Sequence, residues 1–436
     1  MNTGVVRCSL LLILCDVLPV VTQAQDLTGQ VDLATLQRAA VSRDARAAQR
    51  DLLSRSADLR LAALRDTYRP RFSLSANSSH VSDVTHLTLK LPSGNAPIPP
   101  KDRWTTSLDV SQTIYDGGAS SRRSALERAR LAEGEAGVDA AIEPLRDEVT
   151  RTFFASVLLQ VSERELRLVI DDLQQLLDDT RIRVREGVAL GRDSAAVRAE
   201  WLSAQSRLAQ LRSQRRAAAA NITRLTGVVL YEDTPLAIPD WSSRIDTIGD
   251  VAALRARPEF ARLDRAHDRL DAERDLASAE NRPRVLAFGS TGIGRPGLNQ
   301  FKPDAASFWQ VGVKFEWTPF TWGSAERNRE LAVLQQQVLA TEEKALAEQL
   351  ARSVQGDIEE RERLRAQIAE DEEIIALREI SFAQGEAQRK EGVITAAEAA
   401  KLRTDLAEAR LSLERHRVEV AQAEARIVTT LGLSPR

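Results

Sequence analysis

Few residues in this chain carry chemical potential, and their spacing argues against catalysis. Gly292-Ile293-Gly294-Arg295-Pro296-Gly297 matches the letters Gly-x-Gly-x-x-Gly of a dinucleotide-binding turn. Such a turn must open a helix whose N-terminus faces the pyrophosphate, and Pro296 followed by no helical pattern breaks that context. The segment reads as a loop. His80, His86, His267 and His416 show no metal-ligand spacing. No nucleophile motif is present. Cys8 and Cys15 both lie within the first 24 residues, so once those are removed neither a disulfide nor a thiol remains. The sequence predicts no cofactor, no metal and no catalytic residue.

Two acids have a more informative setting. Asp193 and Glu398 each follow a Gly-Val pair by six residues counted from the glycine, Gly187-Val188 and Gly392-Val393. Glycine suits the left-handed residue that ends a long helix, and an acid in the first turn of the next helix is favoured by the helix dipole. Capping accounts for both carboxylates energetically. Lys401 stands one helical turn beyond Glu398.

These pairs are landmarks of an internal duplication. Glu186-Gly187-Val188 precedes a helical stretch closing at Leu225-Thr226-Gly227, and Glu391-Gly392-Val393 precedes one closing at Leu431-Gly432-Leu433, an offset of about 205 residues. Tyr68-Arg69-Pro70-Arg71 recurs as Asn281-Arg282-Pro283-Arg284, and Tyr115-Asp116-Gly117-Gly118 recurs as Thr321-Trp322-Gly323. The expected division is 1–24 as a signal peptide, 25–240 as the first repeat and 241–436 as the second. The strand pairs are expected at 71–115 and 284–318, and the hairpin tips near 187–192 and 392–397.

The export reading rests on Arg7, the apolar run Leu10 to Leu14 and the small-residue site Thr22-Gln23-Ala24 before Gln25. A lipid anchor at Cys15 is disfavoured by the large Leu14 before it. Charged residues make up 28% and aromatic residues 4% of the chain, a balance typical of extended helices rather than a thick globular core. A net charge of -3 gives no reason to expect nucleic acid as a partner. After residue 25 no apolar run reaches the length of a spanning helix, so a membrane crossing would have to be made by strands.

Each repeat reads helix, strand, strand, long helix, tight turn, helix. Helices are predicted over 32–68, 119–185 and 192–226, then over 249–281, 324–390 and 397–431. Leu166, Val169, Leu173 and Leu176, and in the second copy Leu331, Leu334 and Val338, are spaced as a narrow apolar stripe that packs on another helix. A helix over 119–185 would span about 100 Å at 1.5 Å per residue, and the two shorter helices would stack end to end beside it. Pro144 removes one hydrogen bond from the first long helix and predicts a kink there. Gln349 stands at the corresponding offset of the second copy.

Between the helices the period changes to two. Trp309, Val311, Val313, Phe315 and Trp317 alternate with Gln310, Gly312, Lys314 and Glu316. Trp104, Leu108, Val110 and Ile114 alternate with Thr105, Ser107, Asp109 and Ser111. A sheet resting on a soluble core would show the same alternation. Ten-residue strands with tryptophan at both ends also fit a membrane barrel, whose strands have that length and those aromatic girdles. Four strands cannot close a barrel, so several subunits would share one. The loops over 85–102 and 294–306 would then face the exterior.

In this arrangement the chain resembles the TolC-like outer-membrane efflux family. The residues carrying the resemblance are Arg69-Pro70 before a strand, Ile114-Tyr115-Asp116-Gly117-Gly118 at the strand-to-helix junction, and the two Gly-Val turns followed six residues later by an acid. It covers about residues 30–433. The resemblance implies a mainly α protein with a membrane β-barrel portion. Each subunit of a homotrimer would give four strands to a shared twelve-stranded barrel in outer-membrane lipid, over a long α-helical coiled-coil tunnel through the periplasm. It implies a passive channel that exports small molecules or proteins, with a periplasmic adaptor and an inner-membrane pump or ABC exporter as partners. Adaptor docking would involve Gly187, Val188, Ala189, Leu190 and Gly191, with Gly392, Val393, Ile394 and Thr395. A pore constriction would involve Asp193 and Glu398, with Lys401 where some relatives carry a second acid. The rival is a periplasmic adaptor or structural coiled coil without membrane strands, which leaves the aromatic alternation of 309–317 unexplained.

Overall fold

The computed structural model describes residues 31–85, 90–91, 94–95, 98–231, 234–241, 251–279, 281–320 and 322–433. The expected signal peptide, both cysteines and His86 lie outside the described residues.

The first repeat opens on α1 (Leu33–Arg43), where the Asp32 carboxylate caps the helix by accepting the Thr35 N–H at 2.9 Å. The single helix expected over 32–68 is broken after Arg43. Asp44 is extended, and its carboxylate accepts the Arg46 N–H at 2.7 Å, starting a 3-10 turn over Ala45–Ala48 before α2 (Gln49–Asp66). A short acid that bonds the main chain two residues on competes with helix continuation. The second repeat breaks at the corresponding place: a 3-10 turn over Val251–Ala256 precedes α5 (Pro258–Ala277), and Arg257 between them is extended. Proline at the first helical position disfavours helical geometry in the residue before it.

The rod is built from α3 (Ala119–Arg185) with α4 (Gly191–Thr226), and from α6 (Ser324–Lys390) with α7 (Ala396–Thr430). Both α3 and α6 are 67 residues long, about 100 Å each. The helix α3 runs unbroken through Pro144. Proline has no N–H to offer the Ala140 carbonyl, and Arg46 donates to the next carbonyl along, that of Ala141.

Within the subunit α3 packs against α1, α2, α4, α5 and α7, whereas α6 packs mainly on α5 and α7. The main core lies where these helices meet midway along the rod and contains Leu36, Phe153, Phe154, Trp241, Phe260 and Val428. Phe153 and Phe154 meet edge to face at 5.3 Å. A smaller cluster of Leu173, Leu176, Leu177, Val197 and Ala400 holds the lower rod. Both clusters contain residues of α3 at helical spacing, which is why periodicity alone locates that helix.

Above the rod stands an antiparallel sheet of β1 (Arg71–His80), β4 (Asp102–Tyr115), β5 (Arg284–Arg295) and β6 (Ala306–Glu316), in that spatial order. A short separate hairpin pairs β2 (Lys90–Leu91) with β3 (Gly94–Asn95) in the loop above β1. The register slips once: Thr113 faces Leu286 and Tyr115 faces Val285, leaving Ile114 as a bulge beside the helix junction. The chain is thus mainly helical with one four-stranded antiparallel sheet.

Candidate functional site

Cross-strand register sorts the sheet into two chemically opposite faces. Val313 pairs with Ala287 and Phe315 with Val285 across β6 and β5, while Phe72 pairs with Val110 and Leu74 with Leu108 across β1 and β4. Directly opposed residues share a face, so these pairs form one apolar surface, continued by Trp309 and Val311. The surface is bare: Trp309 is 71%, Val311 74% and Val313 70% exposed. Trp317 falls one residue beyond β6, where its Nε1 donates to the Asn281 carbonyl at 3.0 Å.

The opposite face carries the charged and hydroxyl side chains, with Leu286, Phe288 and Phe308 interspersed on β5 and β6. At its centre the Asp109 carboxylate accepts hydroxyl bonds from Ser290 at 2.6 Å, Ser75 at 2.9 Å and Ser107 at 3.0 Å. Gly292 and Gly294 of the apparent dinucleotide motif lie inside β5 and precede no helix. A Cβ at Gly292 would come within 2.2 Å of the Thr106 carbonyl oxygen, so this glycine serves strand approach.

At the far end of the rod, the two predicted turns are built alike. Gly187 has φ 75° and Gly392 φ 74°. In the first, Gly187 N–H donates to Val184 O at 3.1 Å and Val188 N–H to Arg183 O at 2.9 Å; in the second, Gly392 N–H donates to Arg389 O at 3.1 Å and Val393 N–H to Gln388 O at 2.8 Å. This paired bonding is the Schellman pattern, which needs a left-handed residue after the helix. Open space surrounds both glycines, so backbone geometry is their constraint.

The acids sit at the third helical position beyond each turn. Glu398 completes a capping box: its carboxylate accepts the Thr395 N–H at 2.8 Å, and Thr395 Oγ1 accepts the Glu398 N–H at 3.2 Å. The Thr395 N–H, with its hydroxyl, holds the Glu398 carboxyl below the usual carboxylate range. Asp193 makes half of such a box, accepting the Leu190 N–H at 3.3 Å. Lys401 is exposed on α7.

One cleft lines up both tips, with Val188, Ala189, Leu190 and Asp193 on one side and Gly392, Val393, Ile394 and Thr395 on the other; Gly191 begins α4 next to it. Two arginines that the sequence reading missed hold this arrangement. Arg183 Nη1 donates to the Arg389 carbonyl at 2.9 Å, and the nearly buried Arg389 side chain reaches Asp179 at 3.4 Å and Glu386 at 3.3 Å. Both stand in the last turns of their helices, where basic residues are common for dipole reasons. That local pattern gives no sign of a cross-hairpin tie.

A family model described as Outer membrane efflux protein matches residues 34–228 and 251–433. Among solved structures, one of CusC, concerned with folding and transmembrane channel formation, superposes with a TM-score of 0.67 at 17% identity, covering 94% of this chain and 96% of that one. The outer membrane protein VceC of Vibrio cholerae superposes at 0.66 with 14% identity, covering 92% and 96%. The open state of the MtrE outer membrane channel of Neisseria gonorrhoeae superposes at 0.61 with 20% identity, covering 92% and 89%. No curated protein sequence matches. With the family model spanning both repeats, the chain belongs to the outer membrane efflux protein family.

Proposed function

We propose that the protein is the outer-membrane exit duct of a tripartite efflux or secretion system, extending into the periplasm and moving solutes without chemical change. The observation that carries this reading is the four-stranded sheet with one bare apolar face, set on a helical rod of about 100 Å. An apolar sheet face of that kind requires lipid or another protein surface to cover it.

Closure follows from the edges. In the spatial order β1, β4, β5, β6, among the described residues the first strand pairs with β4 alone and the last with β5 alone. Unpaired edges cannot persist in lipid. The strands alternate in direction, so β6 of one copy meets β1 of the next antiparallel, and three copies close a twelve-stranded barrel. The rod is likewise open at one side. The extensive contacts α3 makes with α5 and α7 of the other repeat have no comparable counterpart on α6 among the described residues. In a ring, α2 and α4 of the next copy fill that place. Exposed Leu331, Leu334 and Val338 on α6, and Leu52 and Leu59 on α2, are the apolar residues available to such a seam.

The tips are the docking end. Val188, Leu190 and Val393 are exposed beside the joint cleft, and with Gly187, Ala189, Gly191, Gly392, Ile394 and Thr395 they offer a periplasmic adaptor two similar turns per copy. Asp193 and Glu398 form the narrow acidic level of the tunnel, with Lys401 moderating its charge. An inner-membrane pump or ABC exporter then supplies both the energy and the cargo.

Topology on intact cells tests the duct. Asn299→Cys in the β5–β6 loop should react with a maleimide that does not cross the outer membrane, whereas Val188→Cys should react only after permeabilisation. Equal labelling of both on intact cells, or of neither, would contradict the proposal.

A further inference from the structure

The polar face of the sheet carries an unequal charge. Cross-strand register puts Arg71, Arg103, Asp109, Arg284, Lys314 and Glu316 on that face, which is four cations against two anions among the described residues. The cations are also concentrated. Arg71 pairs with Ser111, which faces Phe288, which faces Gly312; Lys314 lies two residues below that level, and Arg284 faces Glu316 two residues lower still. At about 3.4 Å per residue, Arg71, Lys314 and Arg284 fall within about 14 Å along the strands, next to the helix junction.

Compensation is partial. Glu316 forms an ion pair with Lys314. The Asp109 carboxylate, higher on the face, is turned to its three serine hydroxyls. Arg71 and Arg284 are exposed on the face, where their charge acts on the space in front of it. The charges on the apolar side lie at the outer end of the sheet: Asp102 bonds His80 at 2.7 Å, and Arg295 donates to the Pro303 carbonyl at 2.8 Å.

We propose that the base of the barrel is an electropositive collar that concentrates anionic solutes, those bearing carboxylate, phosphate or sulfate groups, as they leave the helical tunnel. This rests on the trimeric duct reading, in which the polar face lines the lumen and three copies triple the excess. Fixed charge of one sign around a low-dielectric passage raises the local concentration of the opposite ion. The tip acids cannot cancel it: they lie about 100 Å away along the rod, against a screening length of about 8 Å at physiological ionic strength. The duct would therefore present an acidic entrance and a basic exit, each acting on its own level.

The test is ion selectivity of the purified full-length trimer in planar bilayers, read as reversal potential under a potassium chloride gradient. A variant combining Arg71→Gln, Arg284→Gln and Lys314→Gln should lower the chloride-to-potassium permeability ratio by about threefold or more. The charge-keeping variant Arg71→Lys, Arg284→Lys, Lys314→Arg should leave the ratio unchanged. If the triple glutamine variant does not assemble, each single substitution is measured, and each should move the ratio in the same direction. An open, conducting channel whose ratio is the same in wild type and every glutamine variant overturns the collar and leaves the duct standing. Absence of conductance in the wild-type trimer overturns both.

Discussion

Arg183 Nη1 lies 2.9 Å from the carbonyl oxygen of Arg389, joining the last turns of α3 and α6 across 206 residues of sequence. Through this bond and the Arg389–Asp179 contact, the two hairpins reach the tip as one unit. Charge-assisted hydrogen bonds are worth about 1.5–3 kcal/mol when lost. Combining Arg183→Ala with Arg389→Ala should therefore lower the local opening free energy of both tips by about that amount. Amide hydrogen exchange over 180–190 and 386–395 should quicken while exchange around Phe153 stays slow. Unchanged exchange at the tips would contradict the tie.

The tip glycines make a contrasting prediction. A left-handed backbone costs a residue with a Cβ about 1–2 kcal/mol, so Gly187→Ala and Gly392→Ala should each destabilise their turns by that order. Gly191 has no positive φ, and Gly191→Ala should be neutral or mildly stabilising. Exchange rates near the three substituted positions read the difference; equal effects would refute the backbone account. Bulky replacements at Gly187 and Gly392 should further impair transport while leaving the trimer intact.

Opposite faces of β6 should respond oppositely to the same charge. Val311→Arg and Val313→Arg place a cation on the apolar face, at about 2–4 kcal/mol each near the membrane midplane, and should prevent stable membrane assembly. Gln310→Arg puts the same side chain on the polar face and should assemble normally. Recovery of both variants in equal amounts in the membrane fraction would refute the facial assignment.

Acid stability should depend on Glu163. Burial opposes its ionisation, but hydrogen bonds from Arg215 at 2.8 Å and Arg212 at 3.1 Å, with the Arg167 charge, outweigh burial and hold the carboxyl below its ordinary value of 4.5. A carboxyl lowered in the folded state contributes stability that is complete above the unfolded value and is lost as pH falls through the folded one. Glu163→Gln should thus flatten the decline in stability below about pH 4.5. Glu143 has the opposite sign, since burial pushes its carboxyl up from 4.5; stability declines as pH rises from 4.5 through its raised value, and Glu143→Gln should remove that decline. Denaturant midpoints from pH 3 to 7 separate the two.

Sequence pattern reported what is local. Heptad spacing located α3 because its buried residues recur at helical intervals; on α6 the apolar stripe Leu331, Leu334 and Val338 has the same spacing but is exposed within the subunit; and alternation located β6 because Trp309, Val311, Val313 and Phe315 share one face. The helical pattern continues through both breaks: at Asp44 a short side chain competes for a main-chain N–H, and at Arg257 the following Pro258 disfavours helical geometry. The strand order β1-β4-β5-β6 and the bulge at Ile114 depend on pairing between repeats. The glycines and capping acids of the tips were legible from turn chemistry. Arg183, Arg389 and the basic face of the sheet were not, because charges look alike in sequence until register assigns them a side.

Fractionation of the expressed protein followed by sizing in detergent decides between a trimeric outer-membrane duct and a soluble helical protein. A duct is recovered from the outer membrane as a species of three chains; a soluble periplasmic monomer or dimer is incompatible with it.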